Sequence, residues 1–283
     1  METVQTEGFF KDKVLGHPTA LFVIFFTEMW ERFSFYGMRA LLVLFFTASL
    51  LDEGWGWPRE HALAIFSSYV GLVYLSTMMG GYFADNILGF RWAVVLGAFV
   101  MMLGHGSMAL ESPFFIYLGL TLLIIGNGFF KPNMTSMISE LYKHKPEKKD
   151  GAYTIFYMGA NAGAFFGILL CGYLGEKVGW SYGFGLAGIF MLFGLAQFWF
   201  ARKIFGNIGL KPKKKDKTKT AVKIQDNDKR VPFAPWQKGI IILCIALGLT
   251  WIINDPVSKI TEGRLDAFAF LGEQGNNIAI LTA

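Results

Sequence analysis

Charge is scarce in this sequence, and so is cysteine. Only 17% of its 283 residues are Asp, Glu, Lys or Arg, against about 25% in an ordinary soluble domain, and a surface facing water on all sides is hard to build from so few. Cys171 and Cys244 are the two cysteines, both inside apolar runs. That excludes a disulfide framework, and neither has His or Cys neighbours at metal-ligand spacing. A cleavable signal peptide is missing too: the first apolar run, near Leu21, is too long and has no small-residue cleavage site after it. The loops offer no nucleophile with a base and no ligand cluster, which argues against a membrane enzyme. No base-reading motif accompanies the net charge of +5, so nucleic acid is not an expected partner.

What the chain has instead is long apolar runs, with 53% hydrophobic residues and a mean hydropathy of +0.42. A bilayer-crossing helix needs about 20 such residues. Six runs qualify: Pro18–Leu50, His61–Ala84, Trp92–Leu110, Phe114–Leu141, Ala152–Gly175 and Tyr182–Ala201. A seventh, Gly239–Asn254, is marginally short, and Asn254-Asp255-Pro256 should end its helix, because the residue before proline disfavours the α conformation. The expected organisation is an N-terminal segment (1–17), a six-helix bundle (18–203), a basic linker (204–235), a seventh apolar helix (236–254) and an irregular tail (255–283). With six alternating spans, Lys11, Lys13, Asp85, Arg91, Lys143, Lys145, Lys148, Lys149 and the lysine run after span six fall on one side; the other side has Arg59 and Lys177 among five acidic residues. The positive-inside rule then puts the N-terminus and the linker in the cytoplasm of a cell membrane.

Span one breaks the apolar pattern with Glu28, Glu31, Arg32 and Arg39. Glu28, Arg32, Tyr36 and Arg39 step by four, four and three residues and share one helix face, with Glu31 bordering it. A charge at mid-bilayer costs about 2.5–3.5 kcal/mol, so these groups must face a water-filled cavity or one another. Glu28 lies roughly 15 Å along the helix at a rise of 1.5 Å per residue, too deep for surface exposure to explain. If a ligand carboxylate took the arginine, a glutamate would be left able to accept a proton. The stripe reads as the wall of a solute transporter.

Glu28-x-x-Glu31-Arg32-Phe33-x-x-Tyr36-Gly37 resembles the ExxERFxYYG motif of the proton-coupled oligopeptide transporters (POT), a family of the major facilitator superfamily, with Phe35 in place of the first tyrosine. Three further segments are similar to the family's signatures. They are Gly80-Gly81-Tyr82-Phe83-Ala84-Asp85 through Gly89-Phe90-Arg91, Gly126-Asn127-Gly128-Phe129-Phe130-Lys131-Pro132-Asn133, and Phe156-Tyr157-Met158-Gly159-Ala160-Asn161-Ala162-Gly163.

The resemblance implies an all-α membrane protein: the N-terminal six-helix bundle of the major facilitator fold, with a cytoplasmic linker and one extra apolar helix. It implies symport of di- or tripeptides with protons, the proton as coupling ion and no cofactor. Glu28, Glu31 and Arg32 would form the proton-coupling network. Arg32, Tyr36, Arg39, Tyr74, Lys131, Tyr157 and Asn161 would line the peptide site, and Gly81, Asp85, Gly89 and Arg91 would belong to a gating motif. It also implies a second six-helix half, needed in cis, whose helix-ten acidic signature has no counterpart here. Two alternatives stay open: transport of another small anion or amphiphile, and a non-transporting interaction protein on the same half-fold.

Overall fold

The computed structural model describes residues 13–211 and 234–267. Among them are seven long helices: α1 (Thr19–Thr47), α2 (Arg59–Phe83), α3 (Phe90–Met108), α4 (Pro113–Leu141), α5 (Lys149–Lys177), α6 (Trp180–Ala201) and α7 (Pro235–Ile260). Helices α2 to α7 are each long and apolar enough to cross a membrane. The chain is a multi-pass, all-α membrane protein. α1 has the length, at 29 residues, but its charges set it apart from the other six.

Those charges are tolerated because α1 is inside the bundle. It packs along α5 and α6, while α3 packs on α4 and α6, and α2 on α4 and α7. Buried side chains such as Leu21, Ile24, Phe33, Met38, Leu42 and Phe45 surround its axis. The α1–α5 contact depends on Gly159, Gly163 and Gly167, spaced by four on one face of α5. A Cβ on Gly163 would overlap the Met29 carbonyl oxygen, and one on Gly167 the Phe33 carbonyl oxygen. Small residues let the two backbones touch, which fixes the rotation of α1 and hence where its charges point.

Aromatic packing closes the far end of α1. Phe45 meets Trp55, Trp180 and Phe184 at ring distances of 5.3, 5.8 and 5.7 Å, and Trp180 Nε1 donates to the Asp52 carbonyl at 2.8 Å. At the near end, β1 (Lys13–Val14) and β2 (His17–Pro18) form a minimal antiparallel hairpin that the sequence did not foretell. His17 Nδ1 and the Tyr142 hydroxyl are 2.6 Å apart, and Lys148 Nζ donates to the Gly16 carbonyl at 3.1 Å. Burial, and then the Lys148 ammonium, holds the His17 imidazole below its ordinary pKa. Burial also pushes the Tyr142 phenol up.

One sequence expectation is corrected. α7 does not stop at Asn254; it continues through Pro256 to Ile260. Proline removes the hydrogen bond to the carbonyl four residues back, here Ile252, and the Ser68 hydroxyl of α2 supplies a replacement at 2.6 Å. Gly71 leaves room for the Ile252 side chain beside it. The start of the expected 204–235 linker is packed: Phe205 is buried and residues up to Leu210 lie against α3, as described below. The rest, 212–233, lies outside the described residues, as do 1–12 and 268–283.

Candidate functional site

The centre of α1 holds a buried charge triad. Arg32 Nε lies 3.0 Å from Glu28 Oε1 and 2.5 Å from Glu31 Oε2. All three residues are buried, Glu31 completely. One guanidinium thus serves both carboxylates. Glu31 Oε1 accepts a hydrogen bond from Asn127 Nδ2 of α4 at 3.1 Å. Lys131, four residues further along α4, is within electrostatic reach of Glu28, Glu31, Arg32 and Tyr36. Its ammonium sits 4.6 Å from the centre of the Tyr74 ring on α2.

The other candidates surround this triad unequally. Tyr36 and Arg39 are half-buried. The Arg39 guanidinium lies among three rings, 5.0 Å from Phe66, 5.4 Å from Phe35 and 5.5 Å from Tyr36, a weak cation–π environment. Tyr74 and Tyr157 are 60% and 56% exposed, and Asn161 is exposed one turn beyond Tyr157 on α5. The structure therefore brings Glu28, Glu31, Arg32, Lys131 and Tyr74 together. Tyr157 and Asn161 share the open face of α5.

The segment from Gly81 to Arg91 forms a different structure. Asp85 is exposed within a single π turn, Ala84–Leu88. Gly89 adopts a φ of 79°, and a side chain there would strike the Leu210 carbonyl. Arg91 donates through Nη2 to the Gly206 carbonyl at 2.5 Å and through Nε to the Ile208 carbonyl. Its backbone N–H bonds Gly209 O at 3.0 Å, and Gly209 N–H donates to Glu140 Oε2 at 2.8 Å. Arg91 and Glu140 thus clamp the chain that leaves α6. Removing the two side-chain bonds by Arg91→Ala should raise the open population of this segment roughly tenfold, seen as faster tryptic cleavage at Lys203. An unchanged cleavage rate would show that the clamp contributes nothing to local stability.

Two residues near the triad were not among the sequence candidates. Asn127 could have been found, since it stands one helical turn before Lys131 on α4. Tyr69, buried on α2 with a hydroxyl that has no hydrogen-bond partner among the described residues, carries no signal in helical spacing.

Residues 91–229 match the sequence profile of the POT family. A peptide transporter of Yersinia enterocolitica is 45% identical over 186 residues, covering 65% of this chain and 36% of that protein. A di-/tripeptide transporter of Lactococcus lactis is 41% identical over 203 residues, covering 70% and 40%. Among solved structures, a point mutant of a peptide transporter of the POT family in complex with alafosfalin superposes with a TM-score of 0.69 at 35% identity, covering 89% of this chain and 49% of that one. The chain thus spans less than half the length of these curated relatives. It belongs to the POT family.

Proposed function

We propose that this chain forms one wall of a proton-coupled symporter of di- and tripeptides in the cytoplasmic membrane, with its N-terminus in the cytoplasm and a second six-helix half supplying the opposite wall. The observation that carries this reading is the sharing of Arg32 between two buried carboxylates, with Lys131 beside them. Glu28, Glu31, Arg32 and Lys131 hold two negative and two positive charges. A peptide carboxylate drawn to Arg32 or Lys131 would add a third negative charge, and one proton on a glutamate would offset it. Tyr36, Arg39, Tyr74, Tyr157 and Asn161 would line the path of the peptide. The names of the relatives support a peptide substrate, and no cofactor enters this scheme.

Gly81, Asp85, Gly89 and Arg91 would serve gating at the cytoplasmic end. Asp85, exposed in its π turn, would meet a helix N-terminus of the other half, where a carboxylate is favoured. Arg91 would hold the linker while the halves move.

The test of the peptide site is Lys131→Ala in the full-length protein. Loss of a charge-assisted contact should weaken dipeptide affinity about tenfold or more, measured by equilibrium binding in detergent. Unchanged affinity would return Lys131 to a packing role on Tyr74.

A further inference from the structure

We propose that Asn127 and Tyr69 are positioning residues for Glu31: Asn127 holds its carboxyl group when ionised, and Tyr69 when protonated. This rests on the coupling role given to Glu31 above. The charged and titratable groups facing Glu31 are Glu28 and Arg32 on α1, Lys131 on α4 and Tyr69 on α2. On α3, the Met101 thioether lies 4.0 Å from Asn127 Nδ2, and His105 is buried one turn further on.

An ionised carboxylate only accepts hydrogen bonds. Asn127 is 1% exposed and supplies a neutral donor at 3.1 Å, which holds Glu31 without neutralising it. A protonated carboxyl instead carries an O–H that needs an acceptor. Tyr69 is 2% exposed, and its hydroxyl has no hydrogen-bond partner among the described residues. It is within electrostatic reach of Glu31, Arg32 and Arg39, and its ring lies 6.4 Å from that of Phe35. A buried hydroxyl without a partner costs free energy that phenylalanine would avoid. Its place beside a carboxyl group that changes protonation gives it a use in the other state. A protonated Glu31 turned from Arg32 towards α2 would offer its O–H to the phenol oxygen as a hydrogen-bond donor.

The experiment is a pH titration of the carboxylic C=O stretch by infrared difference spectroscopy on the full-length protein in lipid nanodiscs, with the Glu31 band identified by its loss in Glu31→Gln. Asn127→Leu removes a donor to the ionised form, so the midpoint should rise by about one pH unit. Tyr69→Phe removes an acceptor for the protonated form, so the midpoint should fall. Opposite shifts support the assignment, and a purely structural role would produce none. Two unmoved midpoints, or shifts in one direction, overturn it while leaving proton coupling at Glu31 intact. Absence of any Glu31-dependent band overturns both this assignment and the coupling role.

Discussion

Replacing Glu31 by glutamine is expected to abolish proton-driven peptide uptake and to spare peptide exchange. Glutamine keeps the shape of the side chain and an oxygen that can accept from Asn127, which now stands 3.1 Å from Glu31 Oε1. Arg32 keeps Glu28 at 3.0 Å, so a buried cation is not left without a counter-charge, the situation that destabilises most when an ion pair is broken. The fold and the peptide site should therefore survive. What is lost is the proton. Glutamine mimics the protonated acid permanently, and the cluster could no longer gain and release a charge as the proposed coupling requires. In proteoliposomes holding the full-length protein, uptake under a pH gradient should fall to the level seen without one, while counterflow of labelled dipeptide continues. Equal loss of both activities would make Glu31 a member of a static ion-pair network and nothing more.

The sequence made the polar stripe of α1 legible because helical spacing is set by the backbone alone. Glu28 and Arg32 were placed on one face and are buried together. Spacing does not reveal what packs against a face. It left Glu31 at the border of the stripe, yet Glu31 is buried completely and bonded by Asn127 of α4. Pro256 failed as a stop signal for the same reason: the disfavoured α conformation of the residue before a proline is a local cost, and another helix offsets it, with Ser68 donating to the freed Ile252 carbonyl. Arg91 was visible as part of a motif, but its partners are the carbonyls of Gly206 and Ile208, and a backbone acceptor leaves no mark in sequence. The glycine pair before Asp85 shows this limit most sharply. The motif sets the two glycines side by side, and only the structure shows that the close approach to α4 belongs to Gly80.

Gly80→Ala should destabilise the bundle, and Gly81→Ala should not. Both positions lie in the last turn of α2, where alanine is favoured over glycine by roughly 1 kcal/mol on helix propensity. Propensity alone therefore predicts that both substitutions stabilise. At Gly81 the nearest obstacle to a new Cβ is the Pro132 ring at 4.0 Å, so propensity should win there. At Gly80 the new Cβ would overlap the Gly128 carbonyl and lie 2.7 Å from the Phe129 nitrogen. These are backbone atoms of α4 and cannot rotate away. Overpacking of this kind costs about 1–3 kcal/mol or more, which exceeds the gain. The Gly128 carbonyl is also the one that Pro132, four residues on, leaves without its helical donor, and Gly80 approaches it closely along the direction its Cβ would take. Forcing α2 off α4 at this point would pull Tyr74 from the Lys131 ammonium, now 4.6 Å from its ring centre. Thermal unfolding in detergent should show Gly80→Ala several degrees below the parent and Gly81→Ala at or above it. A Gly80→Ala protein as stable as the parent would mean that the contact between α2 and the broken turn of α4 is not what holds Lys131 in place.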